Sequence, residues 1–127
     1  MYRRNNEAAD RARERRQKED AAPRLLAEVP SLRTMRLSVS FRRGETVATD
    51  SSYVRVVVVT SAAALFEIPC ADTYCQTGGH PATQHILAGL KAKKSRFEGE
   101  VPCRGTIGTS GTTCASVLIY QVEATYG

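Results

Sequence analysis

The sequence predicts an α+β protein with a four-stranded mixed sheet and one crossover helix, preceded by a basic N-terminal arm. Three observations support this class. Apolar and polar residues alternate in several segments, as they do in half-buried strands. One later segment has the apolar spacing of an amphipathic helix. The N-terminal segment is almost entirely polar, so it cannot contribute to a core.

The length and charge of the chain limit what kind of protein it is. At 127 residues it is long enough for one core, so we expect an arm at 1–20 and one domain at 21–127. The formal net charge of +5 favours polyanionic partners. The sequence contains no run long enough to span a membrane and no apolar signal segment, which predicts a cytoplasmic protein.

The arm carries seven basic and five acidic residues, and its alanines and i,i+4 charge pairs favour a helix. Because this helix has no apolar face, it is marginally stable by itself, and a disordered arm is one interpretation. The other is an RNA-binding arm. The basic residues that would share one side of the helix, at spacings of seven, four and three, are Arg4, Arg11, Arg15 and Lys18.

The domain begins with a short amphipathic helix around Leu25 that Pro30 ends. A first strand follows, in which the alternating apolar residues are Met35, Leu37, Val39 and Phe41. A second strand is predicted from Tyr53 to Ile68. Its run of four valines at 56–59 indicates burial on both faces, in the middle of the sheet.

A helix is predicted from Pro81 to Lys93, with proline at its first position and lysines near its end. A third strand is predicted at 97–103 and a fourth at 115–126. If the second and third strands end at the same edge, they run parallel, and the helix is the crossover that parallel strands need.

The four cysteines lie at the ends of predicted strands, so this topology would bring them to one edge of the sheet. They are Cys70, Cys75, Cys103 and Cys114. Four thiolates arranged as a tetrahedron form a structural zinc site, and a zinc ion bound there would hold the strands together at that edge. Reducing conditions in the cytoplasm disfavour disulfides, although disulfides and unrelated buried thiols remain alternatives.

The stretch from Cys70 to Cys114 resembles a zinc ribbon, in which two cysteine pairs from separate loops close on one structural zinc. Four residues separate the first pair here and ten the second, whereas ribbons usually have two. The stretches 66–70 and 120–126 are also similar to small uncharacterised bacterial proteins with scattered cysteines. The resemblance implies a metal-binding protein and no particular activity.

His80 and His85 are candidates for the metal shell, but a solvent-facing or capping role is more common for such histidines. The sequence lacks the paired motifs of zinc deaminases and the lysine of a phosphate-binding loop. We therefore expect a protein that is not an enzyme.

Two functional classes remain. The first is a non-catalytic, zinc-stabilised protein that associates with RNA or the ribosome through the basic arm. The second is a protein-interaction or assembly subunit with a structural zinc and no nucleic-acid role, which would use an edge of its sheet.

Overall fold

The computed structural model describes residues 2–43, 46–71, 75–76, 78–107 and 112–127. The helices are α1 (Tyr2–Ala21), α2 (Leu25–Glu28) and α3 (Thr83–Lys91). The strands are β1 (Leu32–Arg43), β2 (Thr46–Val57), β3 (Glu67–Pro69), β4 (Cys75–Gln76), β5 (Gly79–Pro81), β6 (Arg96–Pro102), β7 (Thr106–Ile107), β8 (Thr112–Thr113) and β9 (Ser116–Tyr126). The α+β class is therefore confirmed.

The main sheet has four strands in the order β2-β1-β9-β6, and all three pairings are antiparallel. The predicted mixed sheet, with parallel second and third strands, is wrong. β2 and β6 lie at opposite edges of the sheet, and β1 and β9 lie between them. No parallel pair occurs among the described strands, so α3 does not connect parallel neighbours.

The alternation predicted for the first and last strands is confirmed. One face of β1 is buried through Met35, Leu37 and Val39, and one face of β9 is buried through Leu118 and Val122. These residues lie side by side, since Leu37 pairs with Val122 in the register of the two strands. The core lies on this face of the sheet, because period-two alternation directs all these side chains to the same side.

The predicted strand from Tyr53 to Ile68 is not continuous. β2 ends at Val57, and the chain turns there through hydrogen bonds from the N–H groups of Ser61 and Ala62 to the carbonyl of Val58. Burial of the valine run on both faces is also wrong. Val57 is buried, but Val56 is 73% exposed, because β2 is an edge strand with only one face against the core.

The helix that precedes β6 is shorter than predicted. Pro81 belongs to β5, where it pairs with Glu67, and α3 begins two residues later. Ile86 and Leu90 are fully buried, as the apolar spacing predicted. Gly89 contacts the ring of Phe97 so closely that a β-carbon would overlap it, which lets α3 pack directly on the start of β6.

Candidate metal centre

The four cysteines come together from four separate places in the chain. Cys70 follows β3, Cys75 begins β4, Cys103 follows β6, and Cys114 lies between β8 and β9. Their Sγ atoms all lie within 4.8 Å of one another. The predicted gathering of the four thiols is therefore confirmed, and the group can bind a metal ion.

The sulfur separations fit one tetrahedral ion and do not fit disulfides. The Sγ atoms of Cys70 and Cys114 are 3.7 Å apart, and those of Cys75 and Cys103 are 3.6 Å apart. Four thiolates at about 2.3 Å from a central ion would lie about 3.8 Å from one another, by the geometry of a tetrahedron. A disulfide needs a separation of about 2.05 Å.

Short antiparallel strands hold these cysteines in position. β7 pairs with both β4 and β8, which forms a small three-stranded sheet beside the cluster. The N–H of Cys114 donates to the carbonyl of Gly105, and the N–H of Cys103 donates to the carbonyl of Ser116. Backbone hydrogen bonds thus position the two buried cysteines, independently of any contact between their sulfur atoms.

Two glycines, neither of them predicted from the sequence, complete the site. A β-carbon on Gly78 would overlap the Sγ of Cys75 and would lie 2.8 Å from the Sγ of Cys103. The N–H of Gly105 donates a hydrogen bond of 3.3 Å to the Sγ of Cys103. The available signal was a glycine two or three residues after a cysteine, at the point where backbone must approach sulfur closely.

The electrostatics of the cluster favour a bound cation. Burial raises the pKa of the Cys75 thiol, and hydrogen bonds with the other three thiols raise it further. Burial alone would raise the pKa of Cys103, but hydrogen bonds from the backbone of Gly105 and from neighbouring thiols lower it. Four thiolates confined so closely repel one another, so a cation is needed to hold all four in the charged form.

His80 is not part of the cluster of possible metal ligands. Its ring is buried beside Phe41, with the ring centroids 5.5 Å apart, and its Nδ1 lies 2.8 Å from the carbonyl oxygen of Val101. The expected solvent-facing or capping role is wrong for His80, because its position in β5 places it against the core. His85 is exposed on α3, as expected.

The four basic positions of the arm all lie in α1, which is one helix through them. Arg15 and Lys18 are exposed, whereas the side chains of Arg4 and Arg11 lie outside the described part of the structure. The Nζ of Lys18 is 3.5 Å from Glu67. The C-terminal half of α1 therefore lies against the domain.

A groove of about 500 Å³ separates α1 from the cysteine cluster. Arg15 and Lys18 line its helical side, while Cys70 and Cys75 line the other. Cys70 and Cys75 are half-buried, and Cys103 and Cys114 are buried. Within the described part of the structure, the half-buried side of the cluster therefore borders this groove.

Comparison with protein-family models, with curated proteins and with solved structures finds no match to this chain. None of the helices in the described part of the chain combines the length and the apolar character that crossing a membrane requires.

Proposed function

We propose that this chain is a non-catalytic, zinc-stabilised binding protein of the cytoplasm, whose basic helix α1 contacts RNA, free or in a ribonucleoprotein such as the ribosome. The zinc site is inferred from the four cysteine Sγ atoms, which all lie within 4.8 Å of one another. Four thiolates with no other ligand type are the donor set typical of structural zinc.

A structural role follows from the composition of this shell. Catalytic zinc keeps one position open for water or substrate, whereas four cysteines fill the tetrahedron. The small sheet of β4, β7 and β8 beside the cluster supports a zinc-ribbon-like arrangement. Zinc would join the ends of β3 and β6, the start of β4 and the connection between β8 and β9.

The RNA role rests on the charge of α1. Positions 4, 11, 15 and 18 fall within about 60° of one another on a helix of 3.6 residues per turn. Arg15 and Lys18 are exposed beside a groove that is open to solvent. The outer face of the main sheet is less suited to RNA, because Arg42 there is paired with Glu100 through two hydrogen bonds of 2.7 and 2.8 Å.

The presence of zinc is tested by elemental analysis of the purified, reduced protein, which should contain one zinc ion per chain. A metal-free protein that melts identically with and without chelator would refute the structural zinc.

The RNA role is tested by titrating the full chain with RNA over a range of salt concentrations. Contact with about four phosphates predicts a log-log slope of affinity against salt of roughly −3 to −4. Absence of binding at low salt would reject the RNA role and leave the zinc untouched. The assembly alternative would then take its place, favoured by the exposed valines of β2.

A further inference from the structure

The two edges of the main sheet differ in how they are protected. β6 has exposed charged residues at Arg96, Glu98 and Glu100 and ends in a proline. Charges and proline on an edge strand prevent it from pairing with another chain. β2, at the other edge, carries one arginine in its last five residues, and the rest are tyrosine and valines. β2 is therefore the unprotected edge.

The exposed side chains of this edge form an apolar row. Val54, Val56 and Val58 are 56%, 73% and 64% exposed. Val54 and Val56 project to the outer face of the sheet, because they pair with Ser38 and Arg36 of β1, which lie between its buried residues. A row of exposed valines on an edge strand that lacks protective charges is a surface suited to strand pairing.

We propose that β2 pairs with β2 of a second copy of this chain, antiparallel about a two-fold axis at Val56, which joins two four-stranded sheets into one of eight strands. The exposed valines Val54 and Val56 lie on the outer face of the sheet, whereas Tyr53 and Arg55 line a cavity with Arg15 and Glu19 of α1. The segment that pairs consists of residues 53–57 of β2 and the adjacent Val58. On one side the register of β2 against β1 shifts between Tyr53 and Ala48, and on the other the turn begins at the carbonyl of Val58.

Charge and side-chain pattern select a second copy as the occupant. With the axis at Val56, Val54 lies opposite Val58 of the second copy, and Val56 lies opposite its own equivalent. Every exposed valine of the row thus meets a valine. Arg55 lies opposite Val57 of the second copy, which avoids the like-charge pair that an axis at Arg55 would create. The row is complementary to itself, as a two-fold interface requires.

The size of the interface determines how strongly the two chains are expected to associate. Stable interfaces bury about 800 Å² on each partner, which is more than one strand of six residues provides. The net charge of +5 on each chain also opposes association. We therefore expect a dimer that forms reversibly as concentration rises from micromolar to millimolar.

Sedimentation of the full, zinc-supplied chain over this concentration range tests the proposal. The mass should rise towards that of a dimer, and Val56→Lys should weaken dimerisation at least about tenfold, because two lysines would face each other across the axis. Ala88→Lys adds the same charge at an exposed position of α3 and should leave the dimer unchanged. A chain that stays monomeric, or a Val56→Lys variant that dimerises as wild type does, would overturn the proposal.

Cross-linking tests the register. Directly opposed residues in an antiparallel pair have Cα atoms about 4.5–5.5 Å apart, within reach of a disulfide. Under mild oxidation Val56→Cys should form covalent dimers above the wild-type background. Val54→Cys should do so only when mixed with Val58→Cys. Cross-linking of Val54→Cys alone at the level of the mixture would refute the axis at Val56.

Discussion

The Sγ atom of Cys70 lies 3.7 Å from that of Cys114, although the two residues are 44 positions apart in the chain. No local segment can produce this contact. β3 delivers the first cysteine and the β8–β9 connection delivers the second, so the site exists only when the small strands are assembled around it. Binding of a metal at this site would thus be coupled to folding of this end of the molecule.

Loss of one cysteine should therefore remove both the metal and much of the stability. We expect Cys114→Ser to lose zinc and to unfold at a temperature lower by roughly 10 °C, which corresponds to a few kcal/mol for a domain of this size. Its melting should no longer respond to chelator. Thr113→Ser, an exposed neighbour, should retain zinc and melt as wild type does. Retention of stoichiometric zinc by Cys114→Ser would contradict the four-cysteine site.

The space at Gly78 should be essential for the metal. Gly78→Ala places a methyl group against the sulfurs of Cys75 and Cys103, so we expect zinc affinity to fall by at least about tenfold, or about 1.4 kcal/mol. Gly79→Ala is the matched control, because its methyl group would lie 3.6 Å from the carbonyl oxygen of Ile68, an ordinary contact. Competition with a chromogenic chelator measures both. Equal affinities in the two variants would show that Gly78 does not limit the site.

His80 should make stability fall in mildly acidic solution. Burial lowers the pKa of His80 below its ordinary 6.5, and the hydrogen bond with the Val101 carbonyl only partly opposes this. As pH falls below about 6.5, His80 becomes protonated in the unfolded chain but stays neutral in the folded chain. The free energy of unfolding therefore falls. The loss continues until pH reaches the lowered pKa, with a slope of at most about 1.4 kcal/mol per pH unit.

Denaturant unfolding at pH 7 and at mildly acidic pH measures this effect. His80→Gln should show a smaller change between the two conditions than wild type, while thiol protonation contributes equally to both proteins. His85→Gln replaces an exposed histidine and should behave as wild type. An unchanged pH dependence in His80→Gln would mean that another group is responsible.

Charge reversal should identify the side of α1 that, by our proposal, contacts RNA. Arg13 and Arg15 are both exposed, but they lie about 200° apart around the helix. We expect Arg15→Glu to weaken RNA binding and to reduce the salt slope by about 1 or more, whereas Arg13→Glu should have a smaller effect. Filter binding at several salt concentrations compares them. Equal losses in the two variants would indicate a non-specific charge effect instead of a binding face.

Some features were determined by the sequence because they depend on neighbouring residues alone. The alternation in β1 and β9 predicted their buried faces, since strand geometry fixes which side each residue takes. The spacing of Ile86 and Leu90 predicted the buried side of α3 for the same reason. The positions of the four cysteines at strand ends predicted their gathering, although the strands of the main sheet are antiparallel and not parallel as predicted.

Tertiary structure decided which strands are neighbours and therefore what each valine and histidine contacts. A run such as Val56–Val59 is equally compatible with a central strand and with an exposed edge, because periodicity does not record what lies beside a strand. Antiparallel pairing of β9 with both β1 and β6 placed β2 at the edge, and β5 placed His80 in the core. The sequence specified the faces of the elements; their order in the sheet depended on pairing between distant segments, which no local pattern encodes.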